Sequence, residues 1–129
     1  MGKTDKQTSV TLLDKVISRV RFDNQQQVVA ELCCSADFPA FAGHFPGKPV
    51  LPAVIQLAVV RSLTSDLLGR SLVPVRTGRL KFKGMVGPDD LILVRIDVKR
   101  EGENWMSSFK LEQDGKRVSS GSLVFEERL

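Results

Sequence analysis

The sequence predicts an α+β domain, a long central helix wrapped by a curved antiparallel sheet, and three observations carry that prediction. The first is a strongly apolar helical segment from Pro52 to Leu68, closed by Gly69. The second is a run of strand-like segments after it, joined by short turn sequences with no second helical period among them. The third is the lack of any linker, repeat or low-complexity stretch across 129 residues. That length gives one domain, 1–129, large enough for a core without disulfide or metal staples.

Along the chain, TLLDKVISRVR (Thr11 to Arg21) carries apolar residues at 12, 13, 16, 17 and 20, a spacing that suits a short helix or a strand. FDNQQQ then turns, and Val28 to Ser35 is a β-branched strand. Ala36 to Pro52 holds two Gly and four Pro, at 39, 46, 49 and 52, so it is expected as a structured loop. Pro52 suits the first turn of the helix, where its missing N–H costs nothing. Gly69 suits the left-handed position past the helix end. The apolar positions 54, 55, 57, 58, 59, 60, 63, 67 and 68 run nearly round the helix, which predicts burial over most of its surface. Val73 to Gly84, Leu91 to Arg100, Trp105 to Gln113 and Arg117 to Glu126 are the expected later strands, with Asp114-Gly115 as a tight hairpin turn.

Composition excludes several functions. The net charge of +4 comes with no run of Lys or Arg, and one Trp with no Tyr does not make the stacking platform of a single-strand nucleic-acid binder. A modest positive surface suits an acidic protein or a phosphate-bearing carrier better. No stretch is apolar for the roughly 18 residues of a membrane span. MGKTDKQTSV lacks the apolar core of a secretory signal, so a cytoplasmic protein is expected. Cys33 and Cys34 are adjacent, a strained arrangement for a disulfide, and two thiols alone make no metal site. Reduced, half-buried thiols in a reducing compartment are the expected state.

The chemistry-bearing stretch is AGHFPGKPVLPAVIQLA, Ala42 to Ala58, which contains the only histidine of the chain, His44. A lone histidine in such a loop either acts as a base or merely bonds the backbone. GHFPGKPVLPAV, Gly43 to Val54, resembles the G-H-F-P-G-x-P-x-x-P-G-V signature of the hotdog-fold β-hydroxyacyl-acyl-carrier-protein dehydratases of fatty-acid synthesis, and of their relatives in polyketide and aryl-polyene pathways. LLDKV, FPAFAGHF, LKFKGMVGPDDLILVRIDVKR and QDGKRVSSGSLVF are similar to other family segments, extending the resemblance over roughly residues 10 to 126.

The resemblance implies a homodimer of two hotdogs, or a higher oligomer, with active sites at the interface. The reaction is reversible loss of water from a 3-hydroxyacyl thioester, giving the trans-2-enoyl thioester. The substrate rides on acyl carrier protein or CoA, and no metal or organic cofactor beyond its phosphopantetheine takes part. His44 then matches the base, whose near-neutral pKa suits removal of a proton α to a thioester. Phe45, Pro46 and Gly47 shape the loop that places it and are expected among the substrate-binding residues. Ala53 stands where the family has glycine but keeps the backbone N–H that polarises the thioester carbonyl at the helix N-terminus. Pro52, Val54, Leu57 and Ala58 are the expected substrate-contacting positions.

Ala58 is the departure. Fourteen residues after His44 the family carries Glu or Asp, the acid that protonates the leaving hydroxyl, and this chain has none there. Asp66 lies roughly 12 Å further along the helix axis. Gln56 cannot donate a catalytic proton, although it can hold a water, and Asp37 reaches the site only if its loop folds back. Three readings follow: an acyl-thioester-binding dehydratase-like protein, a non-catalytic or half-catalytic partner subunit of a related dehydratase, forming a heterodimer with a paralogue, and a hotdog thioesterase. Thioesterases of this fold generally also need a carboxylate, so Ala58 counts against the third. Lys48, Arg70, Arg76, Arg79, Lys81 and Lys83 are candidates for docking an acidic carrier.

Overall fold

In the computed structural model, residues 13–42 and 49–128 are described. Strands β1 (Ile17–Asp23) and β2 (Gln27–Leu32) form a hairpin, Pro39–Phe41 makes one 3-10 turn, and helix α1 spans Ala53–Leu68. Strands β3 (Leu72–Phe82), β4 (Ile92–Glu101), β5 (Asn104–Gln113) and β6 (Lys116–Glu127) follow. They form one antiparallel sheet in the order β1-β2-β4-β5-β6-β3. The α+β class and the long helix packed against an antiparallel sheet are as expected. The last three strands are a plain meander, whereas β3 crosses to the far edge and pairs with β6.

Alternation explains the core. Along β4, Ile92, Val94, Ile96 and Val98 are buried while Arg95, Asp97 and Lys99 face water. Val28, Ala30 and Leu32 of β2 and Phe109 and Leu111 of β5 continue the same apolar face. Asp114 and Gly115 take φ of 51° and 80°, both left-handed, as a two-residue hairpin turn demands.

Two expectations change. The strand placed at Val28 to Ser35 ends at Leu32, because Leu32 already pairs with Ile17 and Ile92, the first residues of β1 and β4. Beyond it the Cys33 N–H donates to the Val16 carbonyl at 2.9 Å, and the Cys34 carbonyl accepts the Asp89 N–H at 2.7 Å. Cys33 is therefore exposed and Cys34 buried. The ambiguous segment after residue 12 makes a brief helical turn and then β1.

The helix is also less enclosed than its apolar positions predict. Its buried face is Gln56, Val59, Val60, Leu63 and Thr64, a single stripe at helical spacing. Ile55, Leu57, Leu67 and Leu68 are only partly buried against the core, and Val54 remains 68% exposed. The two polar members are satisfied within the core: Ser119 Oγ donates to Gln56 Oε1 at 2.8 Å, and Thr64 Oγ1 lies 2.7 Å from Ser107 Oγ. At the C-terminus Gly69, with φ 65°, donates its N–H to the Ser65 carbonyl.

Candidate active site

The start of α1 is fixed by the segment before it. Leu51, buried, donates its N–H to the carbonyl of buried Val86 at 2.7 Å. The Val86 loop is in turn pinned by the Gly87 N–H on the Asp90 carboxylate at 2.7 Å. Pro52 is extended (φ −60°, ψ 147°), as a proline before a helix can be without loss of a donor, and occupies the capping position just before the first turn.

The Pro52 carbonyl accepts the N–H groups of Ile55 and Gln56, at 3.1 and 3.4 Å. The N–H groups of Ala53 and Val54 precede the first intrahelical acceptor and have none within the helix. Pro52 makes no side-chain cap bond at this terminus, and no acidic residue lies in the first turn. The positive end of the helix dipole is thus left uncompensated by the helix itself, a setting that favours a partly negative oxygen.

From this terminus a groove of about 340 Å³ runs along the helix. It is lined by Val54, Leu57, Ala58 and Arg61 of α1, Pro74 and Thr77 of β3, and Leu123 and Phe125 of β6. The four helical residues fall at i, i+3, i+4 and i+7, a stripe turned away from the one that packs on the sheet. The groove is apolar apart from the Arg61 guanidinium and the Thr77 hydroxyl. It suits a hydrocarbon chain whose carbonyl end meets the helix amides.

The structure therefore brings together Val54, Leu57 and Ala58 at the groove, with Ala53 at the terminus from which it starts. Pro52 lies at the capping position rather than in the lining. His44, Phe45, Pro46 and Gly47 fall outside the described residues. Arg61, Pro74, Thr77, Leu123 and Phe125 were not singled out by the sequence. Helical spacing from Leu57 and Ala58 points to Arg61, whereas the four sheet residues are brought in by long-range pairing that no local pattern encodes.

None of the described groove-lining residues is a carboxylate. Gln56, expected as a possible holder of water, faces the core and bonds Ser119 instead. Glu31 lies on β2, 3.6 Å from Arg19. Asp37 bonds the Ser35 hydroxyl and lines a separate cavity of about 370 Å³ with Lys15, Val16, Cys33, Phe38, Pro39 and Asp89. Of the basic candidates, Arg70 pairs with Glu127 at 2.8 Å and Arg76 pairs with Glu101. Arg79, Lys81 and Lys83 are exposed, with no ion pair among the described residues. Lys48 lies outside them.

The only strongly perturbed thiol is Cys34, whose pKa burial pushes up to about 11, with the neighbouring Cys33 adding to the shift. It is a neutral core group, not a nucleophile. Among the described residues no helix is long and apolar enough to cross a membrane.

Comparison with known proteins bears on the fold and the family. The family model described as ApeI-like, ApeI dehydratase, matches residues 20–122. The 3-hydroxyacyl-[acyl-carrier-protein] dehydratases FabZ of Streptococcus sanguinis and Streptococcus gordonii are each 34% identical over 118 residues, covering 85% of this chain and 84% of theirs. The dehydratase heterocomplex ApeI:P of Xenorhabdus doucetiae superposes with a TM-score of 0.73 at 22% identity, covering 85% of this chain and 96% of that one. A hypothetical thioesterase with coenzyme A from Streptococcus pneumoniae gives 0.72 at 9% identity over 99% of this chain and 97% of that one, a likeness of fold alone. With a long helix against an antiparallel sheet and a matching family model over most of its length, this hotdog-fold chain belongs to the ApeI-like dehydratase family.

Proposed function

We propose that this chain binds acyl thioesters in the α1 groove and takes part in the dehydration of 3-hydroxyacyl thioesters, with a site that lacks its own carboxyl acid. The observation that carries the reading is the convergence of Val54, Leu57 and Ala58 on one apolar groove that starts at the uncapped helix terminus. The thioester carbonyl oxygen accepts the Ala53 N–H, which stabilises the enolate-like charge. His44 takes the proton from C2, the C3–oxygen bond breaks, and the departing hydroxyl leaves as water once protonated. No metal or organic cofactor enters this scheme. The substrate's own phosphopantetheine, from acyl carrier protein or CoA, supplies the thioester.

With Ala58 in the groove, the proton for the leaving group must come from elsewhere. General acid assistance contributes typically ~10²–10⁴-fold, so the isolated chain is expected to be a weak dehydratase. A second reading places the missing carboxylate on a partner subunit, a paralogue in a heterodimer. It is favoured by the structural likeness to a dehydratase heterocomplex. A soluble, cytoplasmic setting in fatty-acid or related lipid synthesis fits either reading.

The test is hydration of a trans-2-enoyl thioester, followed by loss of its ultraviolet absorbance, for the native chain, His44→Ala and Ala58→Glu. Weak native turnover abolished by His44→Ala, or turnover that appears only in Ala58→Glu, supports the site. Silence from all three, with no thioester binding, overturns it.

A further inference from the structure

The proposed thioester site explains the apolar groove residues but leaves Arg61 without a role. Arg61 is exposed, lines the groove, and has no carboxylate partner among the described residues. It lies one turn beyond Ala58, and from Val54 to Arg61 the helix rises roughly 10 Å. A ligand held by its carbonyl at the Ala53 amide and laid along Val54, Leu57 and Ala58 therefore brings its distal part to a guanidinium. The other polar side chain of the described lining is Thr77 of β3. Together they offer charged and neutral hydrogen-bond donors and no negative charge.

Resting on the acyl-thioester reading above, we propose that Arg61 makes this groove selective for acyl groups that carry a carboxylate at the end distal to the thioester. A plain hydrocarbon chain gains only apolar contact here, and it covers part of a hydrated guanidinium. A chain ending in a carboxylate gains the same contact and adds a planar, bidentate ion pair with Arg61. The groove thus reads the ligand at two ends, by backbone amides at the thioester and by a guanidinium at the tail.

The experiment measures binding of decanoyl-CoA and of the mono-CoA thioester of decanedioic acid, matched in chain length, to the native full chain, Arg61→Gln and Arg61→Lys. The native chain is expected to favour the dicarboxylic thioester by about fivefold, the strength of a partly solvated ion pair. Arg61→Gln should abolish that preference, and Arg61→Lys should keep part of it. Equal binding of the two ligands by the native chain overturns the role of Arg61 while leaving the acyl-thioester reading intact. A preference that survives Arg61→Gln overturns it also. So does loss of both ligands together with a change in sedimentation, which would assign Arg61 to a subunit contact. Binding of neither ligand by the native chain overturns the thioester reading itself, and the inference with it.

Discussion

Ser119 Oγ on β6 donates to Gln56 Oε1 on α1 across 2.8 Å, joining the helix that lines the groove to the sheet. Both residues are buried, Gln56 to 3% and Ser119 to 0% exposure. The bond fixes the rotation of the first helical turns, and so decides that Val54, Leu57 and Ala58 face the groove. Ser119→Ala leaves the Gln56 oxygen without this donor and is expected to cost about 1–3 kcal/mol. Urea denaturation checks this. The double variant Ser119→Ala with Gln56→Leu should be more stable than the sum of the single losses predicts, because neither polar group is then left unpaired.

Gly121 of β6 packs tightly against β3. A Cβ there would lie 2.6 Å from Leu80 Cδ2 and 3.1 Å from Leu80 Cα, and its φ of 155° disfavours a side chain as well. The ladder is irregular here, with a register shift between Gly78 and Lys81, and Arg79 takes a left-handed φ of 50°. Gly121→Ala is expected to destabilise by about 1–3 kcal/mol, read as a lower urea midpoint. Gly115→Ala is the informative control: it also has positive φ, but nothing lies within 4 Å of the added carbon. Its loss should come from backbone strain alone and be smaller.

Which parts of this were legible in the sequence follows from the range of the forces involved. Helix α1 and the strands after it were visible because apolar period and turn chemistry are local, and Gly69 and Asp114-Gly115 adopt the left-handed conformations their residue types suit. The crossing of β3 to the far edge was not visible, because edge pairing is decided by contacts distant in sequence. Burial on α1 was overstated because hydrophobicity ignores satisfied polar pairs: Gln56 and Thr64 took core places that the apolar count assigned to residues such as Val54 and Leu57. Val54, Leu57 and Ala58 were legible as neighbours on one helix face, but the place of Arg61 in the groove was not, since it depends on the approach of β3 and β6.

The two cysteines should differ sharply in chemistry. Cys33 is exposed and Cys34 buried, with the Cys34 pKa raised from 9.0 to about 11. A thiol whose pKa is higher folded than unfolded contributes stability that is fully present below the unfolded value and is lost as pH rises through the folded one. That contribution should therefore fade between about pH 9 and 11. Urea midpoints across that window should fall more steeply for the native chain than for Cys34→Ala, the other titrations being common to both. In labelling with iodoacetamide at pH 8, Cys33 should react promptly and Cys34 only on unfolding.

Filling the groove separates its role from that of the fold. Ala58 is half-buried and lines the groove beside Leu57 and Arg61, and it is not part of the stripe that packs on the sheet. A phenyl group at this position fills the groove between α1, β3 and β6. Ala58→Phe is therefore expected to change stability by no more than about 0.5 kcal/mol, as substitutions away from the core generally do. If the groove holds the acyl chain, the same change should weaken acyl-CoA binding by about tenfold, a loss of about 1.4 kcal/mol. Val75→Phe on β3, exposed and outside the groove lining, should leave binding as it is. Unaltered binding in Ala58→Phe, with the fold intact by circular dichroism, would place the acyl chain elsewhere on the protein.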